Sequence, residues 1–191
     1  MIKIITPDQF KNIPWKNGQG MTTELAISDG GTVNDFDWRI SIASVVEDGP
    51  FSDFSGFLRH LILIEGKGIE LKHNNSQRDR LNDLLDYAKF DGGCITTGRL
   101  VDGPIKDLNV MTRNHMFITS IKTMINQQST ELAKCSLCFI YSLQHDAKVV
   151  SEDGLINKVL PAGHLMQITN NTSPILVTGT QAIIIYINPT V

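Results

Sequence analysis

Short apolar segments separated by turn residues run along most of this chain, and they constrain its fold more than any other feature. In residues 38–43 (WRISIA), Trp and Ile alternate with other residues at a period of two, which is typical of a β-strand with two different faces. Residues 58–65 (LRHLILIE) are apolar on both faces and predict a strand buried on both sides. Gly-containing breaks such as 48–50 (DGP) and 102–104 (DGP) separate the segments. Many short strands joined by such turns predict an all-β sandwich or barrel.

The same patterns place most of the remaining elements. Gly66-Lys67-Gly68 predicts a tight turn from 58–65 into a strand at 69–71. Helix is scarce, and the candidates are a short turn at 6–12 and the stretch 78–87. Further strands are predicted at 94–101, 108–112, 115–123, 137–143, 147–150, 157–160, 164–169, 175–178 and 182–187.

A weak internal repeat indicates two similar halves. The segments 61–71 and 81–93 follow the same order of strand, turn, strand, loop and strand as 139–150 and 152–168. Two fused barrels would explain this order, because each barrel needs its own set of strands. We therefore expect an N-terminal barrel over residues 1–114 and a C-terminal barrel over 115–191, a division that allows strands to be exchanged between them.

Charge and composition exclude several classes of partner. The chain of 191 residues carries a formal net charge of −3, without the basic stripe that binding to nucleic acid or an anionic membrane surface requires. The longest apolar runs, at 61–64 and 182–187, are too short to span a membrane, and residues 1–10 lack a secretory signal pattern. Three cysteines do not suggest a disulfide framework. We expect a cytoplasmic protein with no nucleic-acid or membrane partner.

Arg59 is the most informative single residue, because it shares a strand face with Leu61 and Leu63. A guanidinium stays protonated in proteins, and leaving it buried without an anion costs several kcal/mol. The anion is either an internal carboxylate, such as Glu24 or Glu65, or the carboxylate of a ligand held by both arms of the guanidinium. Buried charges are usually paired within the fold, so the residues alone favour the internal pair.

Two further segments carry polar residues in patterns that suit a binding site. Residues 14–25 (PWKNGQGMTTEL) are Gly-rich and include Trp15, which indicates either a pocket rim or an ordered connection with a packed tryptophan. Residues 107–113 (DLNVMTR) place Asp107, Asn109 and Met111 on one strand face. That pattern is typical of a strand beside a wet cavity, and also of the commoner strand that faces solvent.

Metal chemistry finds little support in the sequence. The five histidines include no His-x-His pair, although His145 with Asp146 could meet His164 across a barrel. Cys135-x-x-Cys138 lacks partners at zinc-ligand spacing, and residues three apart in a strand face opposite ways. We interpret these cysteines as core residues and expect no metal and no cofactor.

Three blocks of this sequence, 14–25, 37–66 and 107–113, resemble the HutD/Ves family. The resemblance implies a bicupin fold, with two cupin-like jelly-roll barrels that lack the cupin metal histidines. It also implies a role in histidine utilisation, through binding of a pathway intermediate such as urocanate or formylglutamate, or in a stress response. The arginine before the L-x-x-x-E-G turn is then the carboxylate-binding residue, which is Arg59 here. The other candidate ligand contacts are Asn17, Arg39, Asn109, Trp15 and Trp38.

These inferences favour a non-catalytic binding protein for a small carboxylate, with aromatic walls that stack on a flat ligand. The alternative is a cupin-type enzyme acting on a small organic acid, either metal-dependent or a metal-free isomerase that uses His60 or His164 as general base. A protein-interaction module with a vestigial pocket is a third reading. A homodimer is compatible with each of them, and the sequence leaves the ligand's identity open.

Overall fold

The computed structural model describes residues 1–15, 20–74 and 76–190. Their regular structure is β-strand, apart from one turn of 3-10 helix at Pro7–Gln9, so the predicted all-β class is confirmed. Within these ranges no helix has the length and apolar character needed to cross a membrane. The strands, in chain order, are β1 (Ile2–Ile5), β2 (Lys11–Pro14), β3 (Met21–Ile27), β4 (Trp38–Val45), β5 (Gly49–Pro50), β6 (Phe57–Glu65), β7 (Ile69–His73), β8 (Gln77–Leu81), β9 (Tyr87–Asp91), β10 (Thr96–Leu100), β11 (Ile105–Arg113), β12 (Phe117–Met124), β13 (Gln128–Leu132), β14 (Cys135–Ser142), β15 (Ala147–Ser151), β16 (Asn157–Leu160), β17 (Leu165–Asn171), β18 (Ile175–Gly179) and β19 (Ala182–Pro189).

The helix predicted at 78–87 is wrong. This segment contains the end of β8, a turn and the start of β9. β8 pairs with β7 across a ladder in which Glu70 stands opposite Arg80, and Glu70 also binds Arg78 at 3.0 Å. Cross-strand pairs of opposite charge stabilise a polar strand that lacks an apolar face of its own. β8 lies at the edge of its sheet, where such a sequence is tolerated.

The contacts divide the chain into two compact units. The first unit contains residues 10–116, and the second contains residues 1–9 together with 117–191. Strand β1 therefore belongs to the second unit, where Ile2 pairs with Ile168 of β17.

Two antiparallel sheets build the first unit. One has the strand order β2-β3-β4-β11-β6-β9, and the other has the order β5-β10-β7-β8. One buried apolar cluster takes residues from both sheets, so the core lies between them. Its members are Val45, Leu61, Leu63, Ile69, Leu71, Leu81, Ala88, Phe90 and Ile105, with the partly buried Trp15, Phe51 and Leu100 against them.

The second unit repeats this plan. Its sheets have the orders β1-β17-β14-β19-β12 and β13-β18-β15-β16. The core again takes residues from both sheets, including Ile140 and Ile184 from the first and Val149 and Val177 from the second.

The register of the six-stranded sheet in the first unit positions the candidate site. β11 lies between β4 and β6, and Met111 stands opposite both Arg39 and Arg59. Asn109 stands opposite Leu61, and residues directly opposite in a ladder share a face. Since Leu61 belongs to the core, this inner face of the sheet also carries Ser41, Leu63, Phe90, Asp107, and the three residues Arg39, Arg59 and Asn109.

Candidate functional site

Arg59 is buried on the inner face, as the sequence predicts, with 4% of its surface exposed. Its Nη2 donates a hydrogen bond to Asn109 Oδ1 at 2.8 Å, and its Nη1 lies 3.4 Å from the Ser52 carbonyl oxygen. The rings of Phe51, Phe54 and Phe90 lie 5.5, 5.3 and 5.3 Å from the guanidinium carbon. Burial lowers the pKa of Arg59 to about 10, and the charge of Asp107 opposes that change. The guanidinium is therefore a charged group in an aromatic enclosure.

Neither carboxylate proposed as an internal partner reaches Arg59. Glu24 Oε2 lies 2.8 Å from Arg39 Nε, and the exposed Glu65 pairs with Lys106. Among the described residues no carboxylate oxygen lies within 4.0 Å of the Arg59 nitrogens, and Arg59 Nε has no hydrogen-bond partner. A cation this deeply buried is usually paired, so the free Nε marks a place for an acceptor that these residues do not supply.

Asp107 is the acidic residue whose charge acts on the pKa of Arg59, and it is completely buried. Its Oδ1 accepts a hydrogen bond from Asn109 Nδ2, while its Oδ2 has no partner within the described part of the chain. Burial raises the pKa of Asp107 to about 7, and the positive charge of Arg59 limits that rise. Asn109 thus connects the two charged groups by hydrogen bonds. This position supports Asn109 as a candidate site residue and adds Asp107 to the candidates.

The alternative in which residues 107–113 face solvent is wrong. Asp107, Asn109 and Met111 are all buried, because β11 has a neighbouring strand on each side and its inner face contacts the core. Sequence spacing places these residues on one face, but it does not distinguish an interior face from an exposed one.

Arg39 lies on the same inner face, yet its charge is already compensated. Arg39 is 4% exposed and Glu24 is 6% exposed, and their 2.8 Å contact forms a buried ion pair. Lys11 Nζ approaches Glu24 at 4.0 Å from the surface. A ligand carboxylate would therefore have to compete with Glu24 for Arg39, whereas it would meet no such competitor at Arg59.

The aromatic and amide candidates are placed differently. Trp15 packs against the core of the first unit, and its Nε1 donates to Thr22 Oγ1 at 2.8 Å. Trp38 stands opposite Thr112, one residue away from the Arg39–Met111 pair, and so belongs to the other face of the sheet. Asn17 lies outside the described residues. The structure thus brings Arg39, Arg59 and Asn109 onto one face, packs Trp15 against the apolar core of the same unit, and places Trp38 on the other face.

His73 forms a buried polar contact that the sequence analysis did not identify. Its Nδ1 lies 2.9 Å from Thr96 Oγ1 and its Nε2 lies 3.1 Å from Asp79 Oδ2. The His73 ring packs on Phe90 at 4.5 Å between centroids, and Phe90 also contacts Arg59. The contact depends on the register of β7 with β8 and β10, which no local sequence pattern indicates. It fixes one wall of the Arg59 enclosure.

The residues considered for metal binding or catalysis do not converge. In the described ranges no group of three or more His, Cys, Asp or Glu side chains is placed to hold a metal ion. Asp146 accepts the backbone N–H of Ala162, and His164 Nδ1 lies 3.0 Å from the Ala162 oxygen. His60 points away from Arg59 on the opposite face of β6, where burial lowers its pKa to about 4.

Cys135 and Cys138 are buried, as predicted, but both side chains lie in the same core cluster of the second unit. The expectation that they face opposite ways is wrong. The pair that would join Ser136 to Asn170 is missing from the ladder, and Asn170 has a left-handed φ of 52°. The two thiols lie within hydrogen-bonding reach of each other, which lowers the pKa of Cys135 and raises that of Cys138.

A cavity of about 650 Å³ lies in the second unit. Ile2, Ile4 and Ile168 contribute to its apolar wall, while Asp153 and Lys158 lie exposed at its edge. Around Arg59, buried charged and polar groups converge. The described residues that line this cavity show no such convergence.

The antiparallel two-sheet units define a cupin-type β-barrel protein, and solved structures show the same fold. A cupin 2 conserved barrel domain protein from Leptotrichia buccalis superposes with a TM-score of 0.54 at 12% identity, over 93% of this chain and 92% of that one. HutD from Pseudomonas fluorescens SBW25, solved in a formate condition, superposes with a TM-score of 0.85 at 26% identity over 100% of both chains.

The HutD family profile matches residues 7–185, so this chain belongs to the HutD family. An uncharacterised 21.2 kDa protein in the hutC 3′ region of Pseudomonas putida is 32% identical over 110 residues, which is 58% of this chain and 57% of that protein. Protein Ves of Escherichia fergusonii is 39% identical over 100 residues, or 52% and 51% of the two chains. These alignments therefore span only a little more than half of each relative. The predicted HutD/Ves membership is confirmed.

Proposed function

We propose that this protein is a non-catalytic binding protein for a small carboxylate, which Arg59 holds inside the first unit. The observation that carries the proposal is the buried guanidinium, for whose Nε the described residues supply no acceptor. A ligand carboxylate would satisfy this nitrogen and neutralise the charge without displacing Asn109 from Nη2.

The surroundings of Arg59 favour a flat organic anion. Three phenylalanine rings contact the guanidinium, and Trp15 and Phe51 pack against the same core. Apolar and aromatic walls around a few fixed polar groups are typical of small-molecule sites. Family membership and the relative found in a hutC 3′ region support a role in modulating histidine utilisation, with urocanate and formylglutamate as the first ligands to test. The second physiological role to test is participation in a stress response.

Thermal unfolding of the purified protein with formate, urocanate and formylglutamate tests the proposal. Truncating one partner of a buried charge pair typically costs about 2–5 kcal/mol, so Arg59→Met should lose the ligand-induced rise in Tm. A ligand at about 100 times its Kd should stabilise the wild-type protein by about 2.7 kcal/mol.

Arg113→Met provides the matched control. Arg113 also lies against a phenylalanine ring, 5.1 Å from Phe57, but it is partly exposed and pairs with Asp35 and Asp37. We expect Arg113→Met to keep the full ligand response. An Arg59→Met protein whose Tm rises with ligand as much as that of the wild type would contradict the proposal.

A further inference from the structure

Two buried polar atoms on the inner face of the first unit, Arg59 Nε and Asp107 Oδ2, have no hydrogen-bond partner among the residues that the structure describes. Asn109 lies between their side chains, accepting from Arg59 and donating to Asp107. Arg59 is 4% exposed and Asp107 is 0% exposed. Unpartnered groups at this depth are rare and call for an explanation. The inner face thus offers a ligand one hydrogen-bond donor, Arg59 Nε–H, and one carboxyl oxygen, Asp107 Oδ2.

Charge balance restricts what can bind there. Arg59 and an ionised Asp107 sum to zero, so a monocarboxylate on Arg59 leaves one uncompensated negative charge in the interior, which is strongly unfavourable. The neighbouring groups do not compensate it. Glu24 and Arg39 neutralise each other, and His73 is held between Thr96 and Asp79. A proton on Asp107 restores neutrality and gives the free Oδ2 a hydrogen to donate.

We propose that Asp107 takes up one proton when a carboxylate binds Arg59, so that the site binds a monocarboxylate together with a proton. This inference rests on the proposed function. The geometric basis of the inference is Asn109, which binds both Arg59 and Asp107, together with the two unpartnered atoms. Burial already raises the pKa of Asp107 to about 7, and Arg59 opposes that rise. An anion on Arg59 weakens this opposition, and the pKa of Asp107 then rises further.

The same balance makes Asp107 and Arg59 a filter for ligand charge. A dicarboxylate brings a second negative charge, and among the described residues of the inner face the other cation, Arg39, is already paired with Glu24. The site is therefore selective for monocarboxylates over dicarboxylates of the same shape. Of the two pathway intermediates proposed above, it favours urocanate, which carries one carboxylate, over formylglutamate, which carries two.

Isothermal titration calorimetry of the wild-type protein with crotonate and with fumarate tests both the proton uptake and the selection by ligand charge. These probes differ by the exchange of a methyl group for a second carboxylate. In two buffers of different ionisation enthalpy at pH 8, we expect crotonate binding to take up about one proton. Crotonate affinity should fall about tenfold per pH unit above pH 7, and fumarate should bind at least about 100-fold more weakly than crotonate. Asp107→Asn should bind crotonate without proton uptake and equally well from pH 6 to pH 9.

The outcomes separate this inference from the proposed function. Crotonate binding that needs Arg59 but takes up no proton overturns the inference and leaves the binding function intact. Equal affinity for fumarate overturns the charge selection. If the wild-type protein binds no carboxylate, or if Arg59→Met binds crotonate undiminished, both fail. The proton count uses the wild-type protein and so does not depend on the folding of Asp107→Asn.

Discussion

Arg59 and His60 are neighbours in β6 that face opposite ways, and both are nearly completely buried. Burial disfavours the charged form of each, but only His60 can lose its charge near neutral pH. The described residues give His60 Nδ1 no hydrogen-bond partner, and nearby Lys89 adds to the effect of burial in lowering the pKa of His60 to about 4. Asp107 shows the reverse, because burial raises its pKa to about 7.

His60→Gln should remove one component of the pH dependence of stability. Between pH 6.5 and about 4 the unfolded chain binds a proton at His60 that the folded protein does not, so His60 makes stability fall as pH falls. The effect is about 1.4 kcal/mol per pH unit, or about 3 kcal/mol over the window. Asp107 acts with the opposite sign, because its stabilising protonated form is lost as pH rises to about 7. The contributions of His60 and Asp107 to the pH dependence of stability partly offset each other in the wild type.

Urea unfolding from pH 4 to pH 8 measures the change. In His60→Gln the contribution of Asp107 should no longer be offset by His60, so that stability rises as pH falls from 6.5 towards 5. His145→Gln is the control, because His145 is exposed and its replacement should leave the wild-type profile unchanged. Identical profiles for His60→Gln and the wild type would show that His60 titrates as it does in the unfolded chain.

The sequence predicts the burial of Arg59 because the inference needs only the local alternation of apolar residues in β6. It does not predict the neighbours of Arg59. Asn109 lies 50 positions away, and its contact depends on the register between β6 and β11. For the same reason Glu24 and Glu65 were reasonable candidates, although the register assigns Glu24 to Arg39. Local periodicity specifies faces, whereas long-range pairing specifies partners.

At the level of the elements, strands with apolar alternation are predicted and polar strands are missed. β4, β6 and β19 carry that signal, whereas β8 (QRDRL) and β13 (QSTEL) do not. These two strands lie at sheet edges, where one side of the backbone has no strand partner and polar side chains are favoured. β3, which the sequence analysis also missed, is different because it lies inside its sheet between β2 and β4. The pairing of β8 and β13 comes from the neighbouring strand and not from their own composition.

The turn between β6 and β7 depends on Gly66, and replacing it tests this element. Gly66 has φ of 99°, and an added Cβ would lie 2.6 Å from the Pro104 oxygen. Gly103 also has a positive φ, of 76°, but nothing lies within 4 Å of its Cβ position. Gly103→Ala should therefore lose about 1–2 kcal/mol through backbone strain alone. Gly66→Ala should lose about 3–5 kcal/mol, since it adds a steric clash with backbone.

Chemical denaturation of the two alanine variants provides this comparison. Equal losses would mean that the Pro104 region moves away from Gly66 without cost. Because Gly66 directly follows the strand that carries Arg59, we also expect Gly66→Ala to weaken carboxylate binding while Gly103→Ala leaves it unchanged.

At the scale of the whole molecule, the chain order does not match the division into units. The internal repeat indicates two similar halves, and each unit does contain two antiparallel sheets. No repeat signal reveals that β1 belongs with residues 117–191, because β1 is only four residues long and its partner β17 begins at Leu165. In β1, Ile2 and Ile4 pack against the second core, and Ile5 is itself buried.

Deleting residues 1–5 should therefore destabilise the second unit selectively. β17 would become an edge strand, and the core would lose isoleucine side chains that contribute about 1.5–3 kcal/mol each when completely buried. Hydrogen exchange should become faster in β17 and β14, while β4, β6 and β11 keep their protection. Lys3→Ala changes an exposed residue of the same strand and should leave exchange unaltered. Loss of protection spread equally over β6 and β17 would contradict the assignment, since β1 pairs only with β17 among the described strands.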